Sequence, residues 1–357
     1  MKAFVTGGTG LVGSHIVRAL LADGYRVRVG IRPSSDRSAI AGLPIETILA
    51  DVLDRKALTK AVAGCDVIFH AAANFSYWGH SPQELETTAI KGTANVLYAA
   101  AEARTSRVVV TSSSVVFGYS DAPIARDEQS KLRVERQAPY ITSKVRQDQF
   151  ALQNSRELGL DLVLTCPTIV VGPFAPTLGP SNSIITSYLN DPLRLTFPGG
   201  CNIVAAADVG AGHVLVSKAG AAGERYIIGG DNLEWREIHS IISGLCNTFG
   251  PLFTANHSAC YLAASFEELR AQLTKRPPPT TRTQATMVGR YYWYESRKLY
   301  DLGFQTVSAT DALAAALSWL VASAHVSRET RARLRLSGRV WAARRALCSY
   351  DMELRKS

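Results

Sequence analysis

The sequence lacks the apolar run of roughly 18 to 20 residues that a membrane-spanning helix needs, which excludes a protein built from such helices. Its six cysteines, Cys65, Cys166, Cys201, Cys246, Cys260 and Cys348, are scattered, with no CxxC pair and no histidines at zinc spacing. Neither a disulfide scaffold nor a zinc site is therefore expected. A cleavable leader has no room before an apolar strand that begins at residue 2, so the cytosol is the expected compartment. Low-complexity stretches are few and 46% of the residues are hydrophobic, which excludes disorder. Acids are the scarcer charge, 30 against 39 Lys and Arg. The surplus sits at one end: residues 324–357 hold eight arginines and Lys356 against Glu329, Asp351 and Glu353, leaving that tail at +6 of the net +9. The body is near balance and carries no basic motif interleaved with aromatics, so nucleic acid is not an expected partner.

What is present begins at once. An apolar strand from Lys2 runs into glycines at 7, 10 and 13, and Leu11, Ile16, Leu20 and Leu21 then recur at helical period. Strand, tight turn and helix follow in that order. Gly7 lets the chain turn, Gly10 lets backbone approach a pyrophosphate, and Gly13 lets helix pack on strand. The free N–H groups of a turn built from Gly7, Thr9, Gly10, Leu11, Val12 and Gly13 point, with the helix dipole, at an anion. A second strand, Tyr25 to Ile31, follows, and it ends at Arg32 with no acid beside it. In a dinucleotide fold that position meets the adenosine ribose, where Arg favours the 2′-phosphate; NADP(H) is expected, with NAD(H) the alternative.

Further strands are expected at Ile45 to Ala50, Asp66 to His70, Arg107 to Thr111 and Leu160 to Cys166, alternating with helices, one of them from Glu84 to Arg104. The fold class is thus α/β, a Rossmann-type doubly wound parallel sheet, with a smaller C-terminal substrate-binding cap. The expected divisions are 1–173 for the dinucleotide-binding domain, 174–323 for the cap and 324–357 for a basic helical tail. The run Gly223 to Gly230 reads as a strand returning to the main body, and Pro277 to Pro279 interrupt the later helices.

Asp51, beside Val52, either reaches the adenine amino group or caps the next helix. Ala71, Ala72 and Ala73 leave space for a cofactor across the strand ends. Tyr77 and Trp78 either line an apolar substrate pocket or anchor the core, and His80 reads as solvated. The chemistry centres on Ser113, Tyr140 and Lys144. Tyr and Lys four apart share one helix face, and a cation there favours the phenolate, lowering a pKa that is ordinarily about 10. Lys144 also reaches the nicotinamide ribose, while Ser113 bonds the substrate oxygen.

Thr6-Gly-Gly-Thr-Gly-Leu-Val-Gly13, Asp66 to Ala73, Thr111-Ser-Ser-Ser114 and Tyr140-Ile-Thr-Ser-Lys144 together resemble the extended short-chain dehydrogenases and reductases, also called the NAD-dependent epimerase/dehydratase family. Pro167 to Phe174 and Arg32 are similar to the dihydroflavonol 4-reductase group. The resemblance implies a catalytic hydroxyl at Ser113, with Ser114 as substitute, and nicotinamide contacts around Pro167, Thr168 and Val170. It also implies a homodimer through the helices after the fourth and fifth strands. Sugar 4,6-dehydratases carry an Asp-Glu pair where Ser112 and Ser113 stand here, which speaks against dehydration. A nucleotide-sugar epimerase would grip a diphosphate through Asn182, Asn190, Arg194 or Asn202. The aromatic surroundings, Tyr188 and Tyr291 to Tyr294 among them, favour a lipophilic or aromatic ketone, with Tyr77, Trp78, Ser113, Ser114 and Tyr188 as substrate contacts. The tail, read as a helix broken at Gly338, either lies on an anionic membrane or docks on the body.

Overall fold

The first strand, β1 (Lys2–Thr6), gives way at Gly7 to α1 (Leu11–Ala22), then β2 (Arg26–Ile31) and β3 (Glu46–Leu49). The computed structural model describes residues 1–73, 78–79, 81–132, 137–275 and 277–356. Helix α2 (Arg55–Val62) starts at Asp54, whose carboxylate accepts from the Ala57 N–H at 3.0 Å. The cap is therefore Asp54 and not Asp51, which closes its own local turn by accepting from the Leu53 N–H at 2.9 Å. Next come β4 (Val67–His70), α3 (Pro82–Glu86) with Ser81 and Glu84 in a capping box, α4 (Gly92–Glu102) and β5 (Arg107–Thr111). The single helix expected over 84–104 is divided by a π-helical turn at Thr87–Lys91. Helix α5 (Pro139–Glu157) opens on proline, whose missing N–H costs nothing at a first turn, and leads to β6 (Leu162–Pro167).

Beyond it lie β7 (Ile169–Val171), α6 (Pro180–Asn190), β8 (Leu195–Thr196), β9 (Gly200–Ala205), α7 (Ala206–Ala219) and β10 (Arg225–Ile228). The chain continues through β11 (Asp231–Glu234), α8 (Trp235–Leu245), β12 (Phe253–Thr254), α9 (His257–Thr274), α10 (Arg282–Ala285) and β13 (Tyr291–Tyr292). It ends in α11 (Arg297–Tyr300), α12 (Ala309–Leu320), α13 (Arg328–Arg333) and α14 (Gly338–Lys356).

Among the described residues β10, β6, β5, β4, β1, β2 and β3 form, in that order, one sheet in which every pairing is parallel. The return of Gly223 to Gly230 to the main sheet is as the sequence implied. Both faces are covered. Phe4, Ile68, Val108, Val110 and Leu164 pack under α2, α4 and α5, while the alternate residues Val5, Phe69, Val109 and Val163 pack under α1 and α7. This two-sided burial is why the strands read as unbroken apolar runs instead of alternating ones. The chain lays β2 and β3 on one side of β1 and β4 on the other, so β1 and β4 diverge at a switch point, where such folds hold their ligands. Strands β11, β9 and β13, joined by β7, make a second sheet, and β12 pairs with β8.

The basic tail docks. Val340 and Leu354 are buried, and Arg18 of α1 donates to Asp351 at 2.9 Å, the arginine side chain being 3% exposed. Gly338 starts α14 instead of breaking a helix. No helix among the described residues is long and apolar enough to cross a membrane.

Candidate active site

The glycine turn explains itself in distances. Gly7 has φ +70°, and a Cβ there would lie 2.7 Å from the backbone of Ala71 and Ala72, so the turn after β1 touches the end of β4 directly. At Gly13 a Cβ would stand 2.1 Å from the Gly7 carbonyl oxygen. Gly10 differs: it is exposed, and a Cβ would meet nothing closer than that oxygen at 3.5 Å. Thr9, Leu11 and Val12 are half-buried around it. The start of α1 therefore has uncrowded backbone, which fits a dinucleotide pyrophosphate. Arg32 is exposed beyond β2, and its guanidinium has no hydrogen-bond or ion-pair partner among the described residues. Asp51 and Val52 are half-buried at the end of β3, and Ala71, Ala72 and Ala73 leave β4 with small side chains toward the same crevice.

Tyr140 stands in the first turn of α5, 8% exposed, and the Ser113 side chain hydrogen-bonds its phenol. Burial, more than anything else, pushes the phenol up to about 12, against the pull of Ser113, so it holds its proton at neutral pH. Lys144 is not a cause of that shift, contrary to the expectation that its charge would lower it. Its ammonium is turned elsewhere, donating to the Thr111 carbonyl at 2.9 Å and to Gln147 Oε1 at 2.9 Å. Burial pulls Lys144 down to about 8, with Asp148 opposing. Asp148 is itself buried and raised to about 6 by desolvation; Ser112 lies near enough to lower it, but neither carboxylate oxygen has a partner of good hydrogen-bond geometry.

Four residues that sequence reasoning missed tie Lys144 to the strand of the glycine turn. Gln147 Nε2 donates to Thr93 Oγ1 at 2.8 Å; Thr93 Oγ1 meets His70 Nε2 at 3.1 Å; His70 Nδ1 meets Thr6 Oγ1 at 2.8 Å. All are almost wholly buried. Burial drives the His70 imidazole down to about 3, so it is neutral and has one ring proton to give. The signal available was faint: Gln147 shares the helix face of Tyr140 and Lys144, seven and three residues on.

Other expectations fare unevenly. Trp78 lines an open cleft of about 480 Å³ with Gly79, Ala271, Gln272, Lys275 and Pro277. Tyr77 and His80 lie outside the described residues. Ser114 is buried in the turn after β5, whereas Ser113 is part-exposed and bonded to the phenol. Thr168 Oγ1 donates to Asn202 Oδ1 at 2.7 Å, fixing the segment from Pro167 to Val170 between β6 and β9. Tyr188, expected at the substrate, is 3% exposed, stacks on His239 at 4.3 Å and shares a hydrogen bond with Ser243 at 2.8 Å. Its flat ring and one polar atom are occupied in packing. In the aromatic run, the Tyr294 hydroxyl donates to the Gly118 carbonyl and the Trp293 indole to the Leu233 carbonyl, so these two side chains clamp loops.

Comparison with known proteins agrees with the geometry. The profile of the NAD dependent epimerase/dehydratase family matches residues 3–229. A putative dihydroflavonol 4-reductase of Synechocystis is 31% identical over 325 residues, 88% of this chain and 93% of its own. A 4-hydroxy-2-methyl-3-oxo-4-farnesyl-3,4-dihydroquinoline-1-oxide ketoreductase of Stigmatella aurantiaca is 30% identical over 302 residues, 81% and 87% of the two chains. The crystal structure of gox2253 superposes with a TM-score of 0.79 at 30% identity, covering 91% of this chain and 99% of that one. With a parallel sheet open at β1 and β4, a glycine turn there and a family match over most of that sheet, the chain belongs to the NAD-dependent epimerase/dehydratase family and is an NAD(P)-dependent oxidoreductase of the extended short-chain type.

Proposed function

We propose that the protein is an NADP(H)-dependent carbonyl reductase acting on a small lipophilic or aromatic ketone. One observation carries this over sugar epimerisation: the four side chains that the sequence offers for gripping a diphosphate are engaged within the protein. Asn182 pairs with both backbone groups of Gly172, and Asn190 accepts from Thr330. Arg194 donates to the Tyr188 carbonyl, and Asn202 bonds Thr168, Gly230 and Asn232. The names of the Synechocystis and Stigmatella relatives, reductases of a dihydroflavonol and of a farnesylated quinoline oxide, point the same way.

A bound nicotinamide dinucleotide supplies the hydride. Tyr140, protonated because it is buried, donates its proton to the carbonyl oxygen, and Ser113 orients that oxygen through the hydroxyl it presents beside the phenol. Lys144 keeps one N–H beyond the two it gives to Thr111 and Gln147, and that donor would hold the nicotinamide ribose. The test is to supply NADPH or NADH with ketones, quinones, sterols or nucleotide sugars. A reductase consumes one cofactor per turnover; an epimerase regenerates its own, and absorbance then stays flat while a sugar inverts.

Two narrower outcomes follow. Arg32→Glu should raise the NADPH KM by roughly 10- to 100-fold through loss of a charge-assisted phosphate contact, with little change for NADH; equal effects on both would remove Arg32 from the phosphate. Loss of the Lys144 proton near pH 8 should give turnover an alkaline limb there. Gln147 Oε1 stabilises the charged form, so Gln147→Leu should move that limb to lower pH and Gln147→Glu to higher pH. A limb that stays in place in both variants would show that Gln147 has only a packing role.

A further inference from the structure

We propose that the outer face of α9, with the segment just before it, seats the protein on an anionic lipid surface. Among the described residues nineteen large hydrophobic side chains are exposed, and eight of them fall between Phe249 and Leu273. Phe249 is 84% exposed, Leu262 74%, Phe266 66% and Leu273 78%. The helix is laid down inside out. Ala264, Glu268 and Ala271 are its buried residues, and at about 3.6 residues per turn Leu262, Phe266, Leu269 and Leu273 stand diametrically opposite them. Two alanines and the ion-paired Glu268 face the body, and a continuous apolar ridge faces outward over three turns.

An outward-facing apolar ridge on a helix suits insertion among lipid headgroups. Its charge selects the kind of lipid. Residues 249–282 contain two acids, Glu267 and Glu268, against Arg270, Lys275, Arg276 and Arg282. Both acids are neutralised, Glu267 by Arg270 at 2.6 Å and Glu268 by Arg282 at 2.7 Å. Lys275, exposed where α9 ends, has no ion pair among the described residues. A positive rim beside an apolar ridge complements anionic headgroups. The inner side of the same helix, through Ala271 and Gln272, lines the cleft shared with Trp78. That a lipophilic ketone enters from this surface rests on the reductase reading; the seating itself does not.

The full chain is spun with vesicles of phosphatidylcholine alone and of phosphatidylcholine mixed with phosphatidylglycerol. Wild type should sediment with the mixed vesicles, and Leu262→Ser/Phe266→Ser/Leu273→Ser should lower partition by at least about tenfold with an unchanged melting curve and unchanged turnover of a water-dissolved ketone. Lys275→Glu should weaken binding to the mixed vesicles alone. Equal sedimentation of wild type and the triple variant would overturn the proposal. So would a lipid-free dimer of wild type that the triple variant splits, since the face then belongs to a second copy. Vesicle binding without any cofactor turnover would leave the seating intact and remove the reductase; turnover without binding would do the reverse.

Discussion

Replacing Tyr140 by phenylalanine should lower turnover by roughly 10²- to 10⁴-fold while NADPH affinity stays within about threefold. The two effects should separate because the proposed mechanism uses the phenol only as a proton donor and assigns the dinucleotide mainly to the glycine turn and Lys144. Desolvation, with the Asp148 charge adding to it, keeps Tyr140 protonated, and Ser113 is the group that opposes it. The ring fits its buried place at the head of α5 whether or not it bears a hydroxyl, so the melting temperature should barely move. A variant retaining full activity would mean that the proton comes from elsewhere, and the Ser113 contact would then be structural.

Gly13→Ala should be nearly as damaging by a different route. The added methyl would lie 2.1 Å from the Gly7 oxygen, 2.6 Å from the Gly7 carbonyl carbon and 2.8 Å from Gly8 Cα. Every obstacle is backbone, so no flexible side chain can move aside, and overpacking of this kind costs about 1–3 kcal/mol or more. The expected result is a melting temperature lower by at least about 3 °C and NADPH binding weakened at least about tenfold, because relief requires the turn to leave α1. Gly179→Ala is the control. At φ −79° its Cβ would meet nothing within 4 Å, and NADPH binding should not change. If both variants behaved alike, the close approach of helix and turn would not matter to cofactor binding.

The parts of this molecule legible in sequence are those whose chemistry is local. Three glycines, an apolar run and a helical period sit within two dozen residues, and each imposes its geometry without help from the rest of the chain. The parallel sheet was legible for the same reason, since two-sided burial leaves its mark strand by strand. Lys144 follows Tyr140 by one turn of α5, but the direction of its ammonium depends on Thr111 and Gln147, and so the expected lowering of the phenol pKa does not occur. The chain from Lys144 to Thr6 joins residues 6, 70, 93 and 147, far apart in sequence and unremarkable in type. Aromatic side chains are ambiguous in sequence: the apolarity of Tyr188, Trp293 and Tyr294 suits a pocket wall, but core packing demands it equally, and here their polar atoms bond within the protein. Asn182 and Asn202 look from sequence like ligand-gripping groups, and only the fold shows their amides spent on neighbouring backbone.

Hydride transfer to a carbonyl beside Tyr140 is most directly tested with NADPH deuterated at the nicotinamide C4. With deuterium at both C4 positions and a lipophilic ketone as acceptor, the protein should place one deuterium on the new carbinol carbon and consume one NADPH per alcohol formed. An alcohol free of deuterium, or a nucleotide sugar inverted while the cofactor total stays constant, would contradict the account.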